Sequence, residues 1–178
     1  LVNCWFERFK EINVINAYGP TEASDDITHH LMTEPVYGKE VPIGKAIQNM
    51  RICILDKNMM LCPIGVTGQI FVAGIGVGKG YINDKEKTEL NFMKYDHIIN
   101  VNERVYRTGD YGRWTKNGVL ELLGRKDEQI KIRGFRIELG DIKSALQKND
   151  AVQNAIVTCV TERGNKKIVA YVKDQKQR

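Results

Sequence analysis

The chain has 178 residues, of which 42% are hydrophobic, and a formal net charge of +5. This length allows one domain or two small ones, and the apolar content allows a buried core, so disorder is not expected. There is no run of about 18 apolar residues, which excludes a membrane-spanning helix. The first residues mix apolar and charged side chains, unlike a signal or transit peptide.

The N-terminal third alternates helix, strand and turn signals. Apolar residues at nearly helical spacing predict a helix over 1–12, and the apolar run at 14–18 predicts a buried strand. The residues Gly19-Pro20-Thr21-Glu22 form a turn by composition. A second strand is predicted over 27–32. The missing initiator Met and the amphipathic start lead us to expect a piece of a longer protein.

Residues 41–124 are predicted to be mostly strands joined by tight turns. The expected strands lie at 50–55, 68–73, 105–108, 111–115 and 119–123, and Asn117-Gly118 marks a hairpin. A short helix is expected over 84–92, with Asp84 as its N-cap. Strands at this spacing with glycine-rich turns predict a small barrel or sandwich.

After Arg125 the pattern becomes α+β. A hairpin over 129–138 alternates the charged Lys131, Arg133 and Arg136 with isoleucines that are expected to be buried. A helix over 139–149 and strands over 151–161 and 167–173 follow. This change predicts a domain boundary near 125–127, which would act as a hinge because no Pro- or Ser-rich linker is present.

Charge is uneven along the chain. Residues 1–124 hold 14 Lys and Arg against 15 Asp and Glu, whereas residues 125–178 hold 13 against 7. The basic excess therefore lies in the last third and suggests an acidic partner there. A solvated basic face is the alternative.

Metal and redox motifs are weak. The four cysteines, Cys4, Cys53, Cys62 and Cys159, have no CxxC spacing, so zinc and thioredoxin-type sites are excluded and a reducing, cytoplasmic location is expected. Neighbouring His29 and His30 on a strand point to opposite faces, so they cannot share a metal. The glycines of 73–80 fit neither the Walker A spacing nor GxGxxG. We interpret them as a bulged strand end that crosses another backbone.

Residues 16–22 form the most specific candidate ligand-binding motif in the sequence. Tyr18 ends a strand and offers a ring on which a base could stack, and Gly19 permits close backbone approach. Thr21 offers a hydroxyl and an N–H group to a phosphate oxygen, and Glu22 offers the hard oxygen that Mg²⁺ prefers. An ordinary turn is the alternative.

A second candidate ends the strand at 106–110. The Asp110 carboxylate there could accept hydrogen bonds from the vicinal hydroxyls of a ribose, or simply cap a turn. Asp25 and Asp26 could line a pocket for a cationic group.

In order, four segments resemble motifs of the adenylation domains of nonribosomal peptide synthetases, and together they cover essentially the whole chain. Residues 16–22 resemble NxYGPTE, and 68–81 resemble GELxIxGxxxxxGY with Gln69 in place of the usual Glu. Residues 106–110 resemble Y(R/K)TGD, and 124–142 resemble GRxDxQVKIRGxRIELGEIE. Four motifs at compatible spacing are far more specific than any one alone.

The resemblance implies a two-step reaction and a set of roles. An amino acid and ATP, with Mg²⁺, would form an aminoacyl adenylate, which a carrier-protein phosphopantetheine thiol then attacks. Thr21 and Glu22 would be catalytic, with Glu22 as the metal ligand. The implied nucleotide-binding residues are Asn16, Tyr18, Gly19, Pro20, Thr21, Asp110, Leu122, Gly124 and Arg125. The other implied roles are an amino-acid pocket at Ala17, Asp25 and Asp26, a hinge at Asp127, and a carrier face at Lys131, Arg133 and Gly134.

The same resemblance implies a strand-rich α+β fold, with a distorted barrel-like subdomain followed by a small lid domain. Residues 1–124 would end the large N-terminal domain, 125–128 would be the hinge, and 129–178 would begin the C-terminal domain. The family's upstream phosphate loop, substrate-carboxylate Asp and C-terminal catalytic Lys have no counterpart in the chain. We therefore expect the parent to be an enzyme and this piece alone to be inactive.

Other interpretations stay open. A D-alanyl carrier-protein ligase or an acyl-CoA ligase is the nearest, although Glu138-Leu139-Gly140 favours the synthetase branch. A basic nucleic-acid-binding or carrier-docking module is the rival from another class, but Phe135 and Tyr171 are the only aromatic residues in the basic third. We expect an acidic carrier domain and neighbouring synthetase domains as partners, and neither nucleic acid nor membrane.

Overall fold

A computed structural model of the chain describes residues 2–37, 41–94, 103–125, 129–132, 135–162 and 165–174. The chain divides into two compact units, Leu1–Gly124 and Arg125–Arg178. The strand-rich α+β fold class predicted from the sequence is confirmed.

The first unit begins with a helix and a three-stranded antiparallel sheet. Helix α1 spans Val2–Arg8, shorter than the predicted 1–12. Strands β1 (Val14–Tyr18), β2 (Thr28–Met32) and β3 (Lys45–Ala46) follow in that order in the sheet. Strand β1 alternates half-buried and exposed residues, so the expectation of a buried strand is wrong; only one face of this strand lies on the core.

The second sheet of this unit has five strands. They are β4 (Met50–Leu55), β5 (Gly68–Gly74), β6 (Phe92–Lys94), β7 (Arg104–Trp114) and β8 (Leu120–Arg125), in the order β4-β5-β7-β6 with β8 also paired to β7. Helix α2 (Lys85–Asn91) precedes β6, and the Asp84 carboxylate caps it by accepting from the Lys87 N–H, as predicted. The described strands form an open sheet and no closed barrel.

One strand, β7, replaces the two strands predicted at 105–108 and 111–115. Arg107 lies opposite Phe71 and Tyr111 opposite Gln69, so three residues of β7 face one residue of β5. Gly109 absorbs this bulge with φ 80°, a conformation that glycine adopts at no steric cost. The pairing of β7 with β5 therefore continues on both sides of the bulge, where the sequence predicted a gap between two strands.

The hydrophobic core of the first unit includes two clusters that both contact Tyr18. One consists of Ala23, Ile27, Met50, Val72, Phe92 and Tyr106, and the other of Ile43, Ile54, Ile70 and Leu120. Burying each of the larger side chains contributes about 1.5–3 kcal/mol. The end of β1 is therefore held against both clusters.

The second unit contains a hairpin, a helix and a second strand pair. Strands β9 (Gln129–Ile132) and β10 (Phe135–Glu138) are antiparallel, and helix α3 (Leu139–Gln147) follows directly. Strands β11 (Val152–Glu162) and β12 (Asn165–Asp174) pair along their length, and α3 packs on β11. The isoleucines of the hairpin are half-buried. Asp127, Arg133 and Gly134 lie outside the described residues.

Candidate functional site

A tight reversal after β1 positions the Thr21–Glu22 pair. Residues 21–23 form one 3₁₀ turn, and the Pro20 carbonyl accepts from the N–H groups of Ala23 (2.9 Å) and Asp25 (3.1 Å). The chain then turns back, because Ser24 and Asp25 both have positive φ. The Ile27 N–H donates to the Tyr18 carbonyl at 2.8 Å and closes the reversal. We call residues 20–26 the 20–26 turn.

Gly19 is required by the 20–26 turn itself. A Cβ at this position would lie 1.7 Å from the Asp25 carbonyl oxygen and 2.8 Å from the Ile27 nitrogen. No side chain fits there, so glycine is needed for the close approach of two backbone segments. Its predicted contact with a nucleotide stays a prediction.

The Tyr18 hydroxyl donates to Oδ2 of Asp110 at 2.5 Å. The β7 bulge prepares this contact: the Thr108 hydroxyl donates to the Ile70 carbonyl at 2.8 Å and accepts from the Asp110 N–H at 3.0 Å. A hydrogen bond to an ionised carboxylate is short and strong, so it orients both side chains. Tyr18 and Asp110, which lie in separate motifs and were each predicted to bind a nucleotide, are thus brought together.

The remaining predicted nucleotide residues differ in their surroundings. Leu122 packs against the same cluster as Tyr18, while the Asn16 amide donates to the Pro42 carbonyl at 2.8 Å and so ties β1 to the chain before β3. Gly124 is exposed with φ 92°, and Arg125 ends β8. The structure therefore gives Asn16 a role within the fold.

Glu22 is held by residues 74–81, which we call the glycine-rich segment. The Tyr81 hydroxyl donates to Oε1 of Glu22 at 2.7 Å, and the Gly78 N–H donates to the Glu22 carbonyl at 2.8 Å. A Cβ at Gly78 would lie 3.1 Å from that carbonyl. The interpretation that this strand end crosses another backbone is confirmed at Gly78.

Tyr81 has no role in the sequence interpretation, although it ends one of the four motifs. Burial raises the pKa of its hydroxyl, and hydrogen bonds with Tyr106 and Glu22 raise it further. The phenol is therefore protonated at neutral pH and acts as a donor to the carboxylate. Its ring meets Phe92 edge-on, with 5.5 Å between centroids.

The Glu22 carboxylate fits a magnesium site of the kind that substrate phosphates complete. Mg²⁺ in such sites takes one or two carboxylates and several phosphate or water oxygens. Glu22 is half-buried beside the exposed Thr21, and the Tyr81 hydroxyl donates to its Oε1. Among the described residues, no three His, Cys, Asp or Glu side chains form a cage of their own.

Of the predicted amino-acid pocket residues, Asp25 and Asp26 belong to the 20–26 turn, and Ala17 lies on β1 just before it. Ala17 is exposed and pairs across the sheet with His29, whose Nε2 lies 3.5 Å from Oδ2 of Asp26. Asp25 is also exposed. His29 is exposed while His30 is half-buried, in agreement with their predicted opposite directions.

The sequence is similar to proteins of one enzyme family. The model of the AMP-binding enzyme family matches residues 1–82. Tyrocidine synthase 3 of Brevibacillus parabrevis is 41% identical over 166 residues, which are 92% of this chain and 2% of that protein. Surfactin synthase subunit 1 of Bacillus subtilis (strain 168) is 44% identical over 160 residues, which are 88% of this chain and 4% of that protein.

A solved structure matches over nearly the whole length. PA1221, an NRPS protein containing adenylation and PCP domains, superposes with a TM-score of 0.83 at 26% identity, over 98% of this chain and 36% of that one. The fold and the family match thus place the chain in the class of AMP-binding enzymes. Within it, the chain is a partial adenylation domain of the nonribosomal peptide synthetase family. No described helix is both long and apolar enough to cross a membrane.

Proposed function

We propose that this chain forms part of a cytoplasmic, amino-acid-activating enzyme. That enzyme makes an aminoacyl adenylate from ATP and an amino acid and passes it to a phosphopantetheine thiol on a carrier domain. The observation that carries the proposal is the 2.5 Å hydrogen bond between Tyr18 and Asp110, next to the turn that presents Thr21 and Glu22. These residues offer an aromatic ring to a base, a carboxylate to ribose hydroxyls, a hydroxyl to a phosphate and a carboxylate to magnesium.

Tyr18 and Asp110 bind the nucleoside in this proposal. The Tyr18 ring stacks on adenine, and the Asp110 carboxylate accepts hydrogen bonds from the ribose hydroxyls. Their mutual hydrogen bond sets both groups before ATP arrives, so less ordering is needed on binding. The bulge at Gly109 gives the carboxylate this direction.

Thr21 and Glu22 act at the phosphates. The exposed Thr21 hydroxyl donates to an α-phosphate oxygen, where negative charge develops as the substrate carboxylate attacks. Glu22 holds magnesium, which supplies charge neutralisation when it is bound. Because the 20–26 turn is closed by its own hydrogen bonds, these groups need little reorganisation during the reaction.

The test of this function is amino-acid-dependent ATP–pyrophosphate exchange by the synthetase that contains the chain. We expect exchange to require Mg²⁺ and one amino acid, with lysine or ornithine preferred because Asp25 and Asp26 favour a cationic side chain. A strict preference for leucine or phenylalanine would reject the pocket assignment alone. Exchange with D-alanine only, or with fatty acids only, would instead identify one of the two ligase alternatives.

A second part of the proposal concerns the carrier domain. Residues 125–178 hold 13 basic against 7 acidic side chains, which suits an acidic carrier surface. We assign the contact to Lys131, Arg133 and Gly134, and the movement between the two steps to a hinge at Asp127. The PCP domain in PA1221 supports a carrier as the partner.

Reversing one charge should separate the two steps. We expect Lys131→Glu to slow loading of the carrier domain by about tenfold, because charges at a contact rim mainly change the association rate. Pyrophosphate exchange should change by less than about twofold, because no carrier takes part in it. Lys85→Glu, at an exposed lysine of α2 in the first unit, is the matched control and should leave loading unchanged. Equal slowing by both variants would reject the assigned contact.

A further inference from the structure

The glycine-rich segment contacts the 20–26 turn at three points. The Ser24 hydroxyl donates to the Gly76 carbonyl at 2.8 Å, and the Gly78 N–H donates to the Glu22 carbonyl at 2.8 Å. The third contact is the 2.7 Å hydrogen bond from the Tyr81 hydroxyl to Oε1 of Glu22. This one segment therefore holds both the main chain and the carboxylate of Glu22.

Tyr81 is itself fixed from several sides. Its ring lies edge-on to Phe92, whose own ring lies 4.9 Å from that of the buried Tyr106. Its N–H donates to the Thr88 hydroxyl at 2.8 Å, and the Lys87 ammonium lies 5.2 Å from its ring centroid. A phenol packed in this way presents its hydroxyl in one direction.

We propose that Tyr81 is a positioning residue for Glu22, and this rests on the proposed function. The Tyr81 hydroxyl fixes Oε1 of Glu22, so that the carboxylate keeps one rotamer in which it would face a magnesium ion carried by the nucleotide phosphates. Groups that hydrogen-bond a metal-binding side chain orient it in this way, and their loss typically lowers metal affinity or activity by about 10–100-fold. Tyr81 does not touch the substrate in this proposal.

The test is Tyr81→Phe in the full synthetase, with exchange measured across a range of Mg²⁺ concentrations. The Mg²⁺ concentration for half-maximal exchange should rise by about tenfold. The KM for the amino acid should stay within about twofold, and saturating Mg²⁺ should restore most of kcat. Binding of Mn²⁺ in the presence of a non-hydrolysable ATP analogue, followed by electron paramagnetic resonance, should weaken by a similar factor without any turnover.

Two further variants distinguish positioning of the Glu22 carboxylate by Tyr81 from a general effect on the fold of the glycine-rich segment. Thr88→Val removes the hydroxyl that holds the Tyr81 main chain but keeps the phenol, so it should shift the Mg²⁺ dependence much less than Tyr81→Phe. Gly78→Ala reaches Glu22 through its main chain, since the new Cβ would lie 3.1 Å from the Glu22 carbonyl. It should raise the Mg²⁺ requirement a few-fold, and it serves as the second variant if Tyr81→Phe does not fold.

The outcomes distinguish the two proposals. If the unmodified synthetase shows no exchange, the proposed function fails. If it shows exchange but Tyr81→Phe keeps the normal Mg²⁺ and Mn²⁺ dependence, only the role of Tyr81 fails. Equal effects of Tyr81→Phe and Thr88→Val would also overturn that role, because they would indicate a purely structural contribution.

Discussion

Replacing Asp110 by asparagine should raise the KM for ATP in pyrophosphate exchange by about 10–100-fold. A hydrogen bond to a charged group contributes about 1.5–3 kcal/mol, and each 1.4 kcal/mol corresponds to about tenfold in affinity. The asparagine side chain would present a neutral amide both to the ribose hydroxyls and to the Tyr18 phenol, which donates to the native carboxylate at 2.5 Å. The measurement is the KM for ATP at saturating amino acid.

Tyr18→Phe is the matched control for the Asp110 variant. It removes the hydroxyl of that hydrogen bond but keeps the ring that stacks on adenine, so its effect on the KM for ATP should be smaller. Thermal unfolding should show that both proteins remain folded. The ribose assignment is contradicted if Asp110→Asn leaves the KM for ATP unchanged, or if it raises the KM for the amino acid instead.

Replacing Glu22 by glutamine should lower kcat for exchange by on the order of 10²-fold. A neutral amide is a much weaker ligand for a hard cation than a carboxylate, so charge on the phosphates is less well stabilised. The amide oxygen can still accept from the Tyr81 hydroxyl, so the 20–26 turn should keep its conformation. Saturating Mg²⁺ should restore less activity than it does for Tyr81→Phe, because the amide neutralises less charge even when the metal is bound.

Glu121→Gln is the control for the loss of one negative charge. Glu121 accepts from Nε of Arg113 at 2.8 Å on the β7–β8 hairpin and has no assigned role in the reaction. Its replacement should change exchange by less than about twofold, because a partly exposed ion pair contributes about 0–1 kcal/mol. A Glu22→Gln enzyme with normal kcat and normal Mg²⁺ dependence would remove Glu22 from the metal site.

Several elements could be predicted because their signals are local. The spans of β1 and β4 agree with the sequence prediction, since each is an apolar run bounded by turn residues. Asp84 caps α2 as expected, because capping depends on residues within one turn. The candidate nucleotide residues were also recognisable, because each motif is contiguous.

Other features depended on contacts between distant residues. The β7 bulge exists because β5 pairs with the parts of β7 on both sides of Gly109. The residue pattern of one strand does not specify how that strand pairs with another. That the five described strands β4 to β8 do not close into a barrel is likewise a matter of their pairing.

The amino-acid sequence by itself determined the family, the strand-rich α+β class and the identity of the candidate groups, because contiguous motifs and local periodicity carry that information. Only the tertiary structure decided how those groups meet. Tyr18 and Asp110 are 92 residues apart, and Glu22 and Tyr81 are 59 apart, yet each pair shares a hydrogen bond. These contacts follow from strand register and core packing, in which each position depends on partners far along the chain.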